Sequence, residues 1–158
     1  MNPVVVALQC LRCEGSMLRR TALYLLVAAV MVTPAAAEDA RTPIKMPPEV
    51  RSAFLEHMRH HMDSLDDVMT QLAAADFKGA AKVAREQLVP GSGAGFGRYL
   101  PVEFREMGLG MHRAAADFAE VADAVPAQPS AADWKKTMEA LQTISFQCRA
   151  CHSAFRVE

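Results

Sequence analysis

The residues best able to do chemistry lie close together near the C-terminus: Cys148-Arg149-Ala150-Cys151-His152. Two thiols three residues apart, followed at once by an imidazole, form C-x-x-C-H, the attachment sequence for c-type haem. Each thiol can add to one vinyl group along an edge of the porphyrin, while the histidine swings its ring under the iron as fifth ligand. A neutral imidazole binds through one nitrogen and usually donates its other N–H to a carbonyl, a carboxylate or water, which fixes the tautomer. The same residue types also serve as two buried thiols, as a redox disulfide or as half of a zinc site. Zinc would need both cysteines, His152 and a distant histidine, and a thioredoxin-like centre would need a βαβ setting that no strand pattern provides. The expected cofactor is therefore one haem c per chain, held by Cys148 and Cys151, with His152 as axial iron ligand.

Positioning such a group requires helices, and the pattern supplies four. Pro47-Pro48-Glu49 sets a proline in a first turn and an acid near the positive end of a helix dipole. Val50, Phe54, Met58, His61/Met62, Leu65, Met69 and Leu72 then recur at steps of three and four, so a first helix is expected over residues 48 to about 75. Asp76-Phe77 reads as turn and cap before a short second helix ending near Leu88. The stretch from Pro90 to Gly97 is too rich in glycine to stay helical, and Phe96 and Tyr99 at its end are placed to fold back over an apolar opening. Pro101-Val102-Glu103 starts a third helix, which must end before Pro126. Ser130-Ala131-Ala132-Asp133 has capping-box spacing. From it a fourth helix carries Trp134, Met138, Leu141, Ser145, Cys148, His152 and Phe155 on one stripe. The fold class expected is all-α: an antiparallel four-helix bundle whose C-terminal helix bears the haem-attachment residues. Few aromatics, 6%, and many Ala and Met suit closely packed helices.

Met17-Leu18-Arg19-Arg20, an apolar run from Thr21 to Val32, and Pro34 with Ala35-Ala36-Ala37 have the three parts of a secretory signal peptide, with cleavage expected after Ala37. The organisation read from the chain is an upstream extension over 1–16, a signal peptide over 17–37, an extended leader over 38–47 and a helical domain over 48–158. Cys10 and Cys13 precede the cleavage site and are followed by Glu14 instead of histidine, so no role in the mature protein is assigned to them. The apolar run is short for a membrane span, and no membrane span is expected in the mature protein. Cleavage removes three of the 17 basic and one of the 18 acidic residues, leaving 14 and 17. That mildly acidic balance offers no basic field for nucleic acid.

With the signal peptide and four helices, the end of the chain, Cys148-Arg149-Ala150-Cys151-His152-Ser153-Ala154-Phe155-Arg156, resembles the class II c-type cytochromes, the cytochrome c′ family. Members commonly carry an aromatic three residues after the ligand histidine and a basic residue four after it, as Phe155 and Arg156 do here. Arg156, at i+4 from His152 on a continued helix, is expected on the histidine side of the haem, meeting a propionate or a small proximal ligand, or else solvated at the helix C-terminus. The resemblance also implies that the N-terminal half of the first helix covers the opposite face of the iron. Met58 is the expected sixth ligand and Met62, four residues on, the alternative; six-coordinate members use a methionine there. Met69, Met107, Met111 and Met138 are expected to be core filler. His57 and His61, at i and i+4, have spacing for zinc or copper, and His61 could instead reach the iron; the plainer reading of His57, His60, His61 and His112 is surface and boundary positions. The function implied is one-electron transfer in the bacterial periplasm, with no enzymatic activity. The alternative is a five-coordinate protein binding nitric oxide or carbon monoxide. Expected partners are redox proteins and, in the alternative, small gaseous ligands, with the chain a monomer or homodimer.

Overall fold

A computed structural model describes residues 38–88, 90 and 95–158. The expected extension and signal peptide, residues 1–37, lie outside them. Residues Ala40–Glu158 form one compact unit. Its chain order is β1 (Thr42–Ile44), α1 (Pro48–Ala73), α2 (Phe77–Gln87), a 3₁₀ turn (Phe96–Tyr99), α3 (Val102–Asp123), α4 (Ala131–Ala154) and β2 (Phe155–Val157). The fold is mostly helical, and consecutive helices pack on one another: α1 on α2, α2 on α3, and α3 on α4. No helix among the described residues is long and apolar enough to cross a membrane.

The helix ends follow their local chemistry. Pro48 and Pro101 stand at the entries of α1 and α3, where a missing N–H costs nothing. Asp76 caps α2 by accepting from the Gly79 N–H at 2.8 Å. At the start of α4, the Ser130 side chain accepts from the Asp133 N–H, and the Asp133 carboxylate accepts from the Ser130 N–H at 2.8 Å, completing the capping box. The Ser130 hydroxyl, which also donates to the Asp133 carboxylate at 2.7 Å, and the Ser130 N–H together hold that carboxyl below its ordinary value. The other end of α1 closes differently. Ala75 adopts φ +56°, its N–H reaches the Leu72 carbonyl at 2.8 Å, and the Asp76 N–H reaches the Gln71 carbonyl at 2.8 Å. This is a Schellman closure with alanine where glycine is favoured. Because a left-handed backbone costs an L-residue about 1–2 kcal/mol, Ala75→Gly is expected to raise stability by about 1 kcal/mol, read as an upward shift in a thermal melt.

Two apolar clusters result. The larger joins all four helices around Phe118, Leu88, Ile144 and Val68, and alanines at 80, 81, 84, 114, 115, 119 and 122 let the helices approach closely. The smaller gathers Ile44, Met46 and Phe54, with Phe96, Phe104 and Phe155 packed against them. Ser64 and Thr137, both fully buried, satisfy their hydroxyls on carbonyls one turn back, at 2.7 Å on His60 and 2.9 Å on Asp133.

Three expectations need correction. The leader over 38–47 is not merely extended: β1 pairs in parallel with β2, Thr42 opposite Phe155 and Ile44 opposite Val157, and Ile44 and Met46 are buried. The fourth helix stops at Ala154, so Phe155 leaves the helical stripe for a strand. Its real inward edge is Thr137, Leu141, Ile144 and Cys151, while Met138 is 48% exposed. The inward edge of α1 is likewise rotated, to Phe54, Ser64, Val68 and Leu72, and Met69 is 46% exposed instead of being core filler. Small Ala and Ser side chains admit a close neighbour, so the buried edge follows size as well as hydropathy.

Candidate functional site

A cavity of about 580 Å³ opens between α1, α3 and α4. That is within the roughly 300–1,000 Å³ usual for cofactor and ligand pockets. It separates the two apolar clusters, bordered by Leu88, Met111 and Ile144 of one and Phe54 of the other. Its lining brings together every residue expected at the site except Arg156: Cys148, Cys151 and His152 from α4, Met58 and Met62 from α1.

On α4, one helical turn sets Cys148 and Cys151 side by side, half-buried and buried, with His152 exposed at the rim. Both cysteines are free thiols. Burial raises the Cys148 pKa; burial and then the neighbouring Cys148 push Cys151 up to about 11. Such thiols stay protonated at neutral pH, unlike the activated thiolate of a redox C-x-x-C centre. Among the described residues, no three His, Cys, Asp or Glu side chains converge as ligands of a single cation. The helix is anchored right after the histidine: Arg41 Nη1 donates to the His152 carbonyl at 3.3 Å, and the Glu158 N–H donates to the Ile44 carbonyl at 3.0 Å. The β1–β2 clasp thus holds the end of the segment that carries the motif.

Arg156 is placed otherwise than expected. Since α4 ends at Ala154, the helical i, i+4 relation to His152 does not exist; Arg156 stands in β2, ion-paired with Glu158 at 2.5 Å, and is not part of the lining. Arg105 and Arg149 border the cavity instead, Arg149 lying 5.5 Å from the ring of Phe146. A row of aromatic contacts closes one side, with ring centres 5.5 Å apart for Phe96 and Phe54, 5.8 Å for Phe54 and Phe104, and 5.4 Å for Phe104 and Phe155. Phe96 does fold back over the opening.

Of the two methionines, Met58 is half-buried and packs against the Ile44, Met46 and Phe54 cluster, whereas Met62 is 57% exposed. The histidines are surface and boundary positions as read, His60 exposed and the other three of the group half-buried. His57, His61 and His112 all line the cavity, with ring centres 4.4 Å apart for His57 and His61 and 5.4 Å for His61 and His112. Burial first, then the other imidazoles, lowers the His57 pKa and brings that of His61 to about 4, so both rings are neutral at pH 7. The Nε2 of His61 is covered and has no hydrogen-bond partner.

The lining fits a haem: apolar walls for the macrocycle, two thiols and an imidazole along one edge, guanidinium groups at the rim for carboxylates, and thioether and imidazole groups on α1 and α3. No family model, curated protein or solved structure matches the chain.

Proposed function

We propose that this chain is a mono-haem c-type cytochrome of the bacterial periplasm, a one-electron carrier and not an enzyme, similar to the class II c-type cytochromes. The observation that carries this reading is that all three C-x-x-C-H side chains border a single large cavity whose other walls hold Met58, Met62, His57, His61 and His112. The successive packing of α1 on α2, α2 on α3 and α3 on α4 favours an antiparallel four-helix bundle as its architecture.

Haem, when bound, supplies the ferrous/ferric couple. Cys148 and Cys151 would anchor it as thioethers, and His152 would ligate its iron. The carbonyl of His152, held by Arg41, and the β1–β2 pairing keep this segment from fraying. Arg105 and Arg149 are suited to receive propionates as charge-assisted hydrogen bonds, the role that the sequence assigns to Arg156. Apolar and aromatic walls keep water from the macrocycle, and the exposed rim at His152 leaves an edge for electrons to cross to a partner protein. A side chain of α1 or α3 ligating the iron would exclude small gaseous ligands. The signal peptide supports export, and the acidic mature balance favours a redox partner with a basic docking patch.

Potentiometric titration of the secreted protein should give one reversible, single-electron transition followed in the haem bands. The ferrous form should take up carbon monoxide poorly. Ready, saturating carbon monoxide uptake by the wild-type protein would contradict the carrier reading and favour gas binding.

A further inference from the structure

The imidazole of His112 has its tautomer fixed. Its Nδ1 lies 2.7 Å from the Leu88 carbonyl oxygen, which can only accept, so Nδ1 carries the proton and Nε2 the lone pair. Among the described residues, no hydrogen bond reaches that Nε2. Leu88 caps the end of α2, and His112 sits in the middle of α3, on the wall of the same cavity that Cys148, Cys151 and His152 border. One ring nitrogen bound to a backbone carbonyl, with the other left as a free lone pair, is the arrangement that orients metal-ligating histidines and raises their basicity.

The competing side chains are less well prepared. Met62 is 57% exposed, and Met58 already packs in the Ile44, Met46 and Phe54 cluster, a place for a thioether with or without iron. His61 is the nearest rival, 5.4 Å away ring to ring, but no backbone carbonyl fixes its tautomer, and its Nε2 is covered.

We propose that His112 on α3, and not a methionine of α1, supplies the sixth ligand, so that the iron is held between two histidines. This rests on the haem reading of the cavity.

The test uses the secreted holoprotein and its visible and electron paramagnetic resonance spectra. Wild-type ferric protein is expected to be low-spin and to lack the red charge-transfer band of a methionine–iron bond. His112→Ala should become high-spin and take up carbon monoxide when reduced, and added imidazole should restore the low-spin spectrum. His112→Met should stay low-spin, gain the methionine band and shift to a higher reduction potential. Met58→Ala and His61→Ala should keep the wild-type spectrum. A methionine band in the wild type, or conversion to high spin by Met58→Ala or His61→Ala while His112→Ala stays low-spin, would overturn the proposal. A wild-type spectrum that is already high-spin would overturn it as well, and neither of the two wild-type results depends on whether His112→Ala folds. Absence of covalent haem from the wild type is a separate failure, that of the cytochrome reading itself, and shows on a denaturing gel before any spectrum is read.

Discussion

The Cys148→Ser, Cys151→Ser double variant is expected to retain no haem through denaturing electrophoresis, a complete loss of signal. Attachment adds each S–H across a vinyl group, the sulfur to one carbon and the hydrogen to the other, so no atom is lost and no other residue type substitutes for the thiol. A serine hydroxyl is too poor a nucleophile for this addition. Either single variant should keep haem through its remaining thioether, with one vinyl group left unsaturated and the absorption bands shifted accordingly. Haem staining and intact mass check all three. Haem that survives denaturation in the double variant would show that the attachment lies elsewhere.

The second large effect concerns folding without the cofactor. A rigid void of 580 Å³, at roughly 24 cal/mol per Å³, would cost about 14 kcal/mol as an upper bound, since the cavity also opens to water. Whole domains are stable by only about 5–15 kcal/mol. The haem-free chain is therefore expected to close α1 onto α3 and α4 or to lose fixed packing around the cavity. Apo protein made without attachment is expected to retain most of its helical circular dichroism. Its thermal transition should lie at least about 15 °C below that of the holoprotein, given roughly 4 °C per kcal/mol. The alanine-rich part of the larger cluster around Phe118, away from the cavity wall of Leu88, Met111 and Ile144, should be the part that persists. An apo form melting as sharply and as high as the holoprotein would contradict this.

What was legible in the sequence was what is local. The proline entries of α1 and α3, the Asp76 cap and the Ser130–Asp133 box each act within one turn, and each forms as read. C-x-x-C-H is legible for the same reason: its chemistry needs only one turn of helix. The β1–β2 clasp was not, because three-residue strands show no periodicity and Thr42 meets Phe155 across nearly the whole domain. That pairing ends α4 at Ala154 and so removes Arg156 from the helical position expected for it. His112 could have been found. It lies four residues after Gly108 and eight after Phe104, on the stripe that faces the cavity, but its neighbour Met111 drew the apolar reading. No sequence signal reveals its hydrogen bond to Leu88, which depends on α2 ending beside the middle of α3. Arg105 escaped in the same way, since an exposed helical arginine is ordinary until a cavity is seen beside it.

The central claim is a haem covalently attached at Cys148 and Cys151, and the most direct measurement is the alkaline pyridine spectrum and intact mass of the wild-type protein secreted by a host that matures c-type cytochromes. The account predicts the pyridine spectrum of a haem with both vinyl groups saturated, and a mass equal to residues 38–158 plus one haem. A protein of the polypeptide mass alone, with no Soret band and with both thiols open to alkylation, would contradict it.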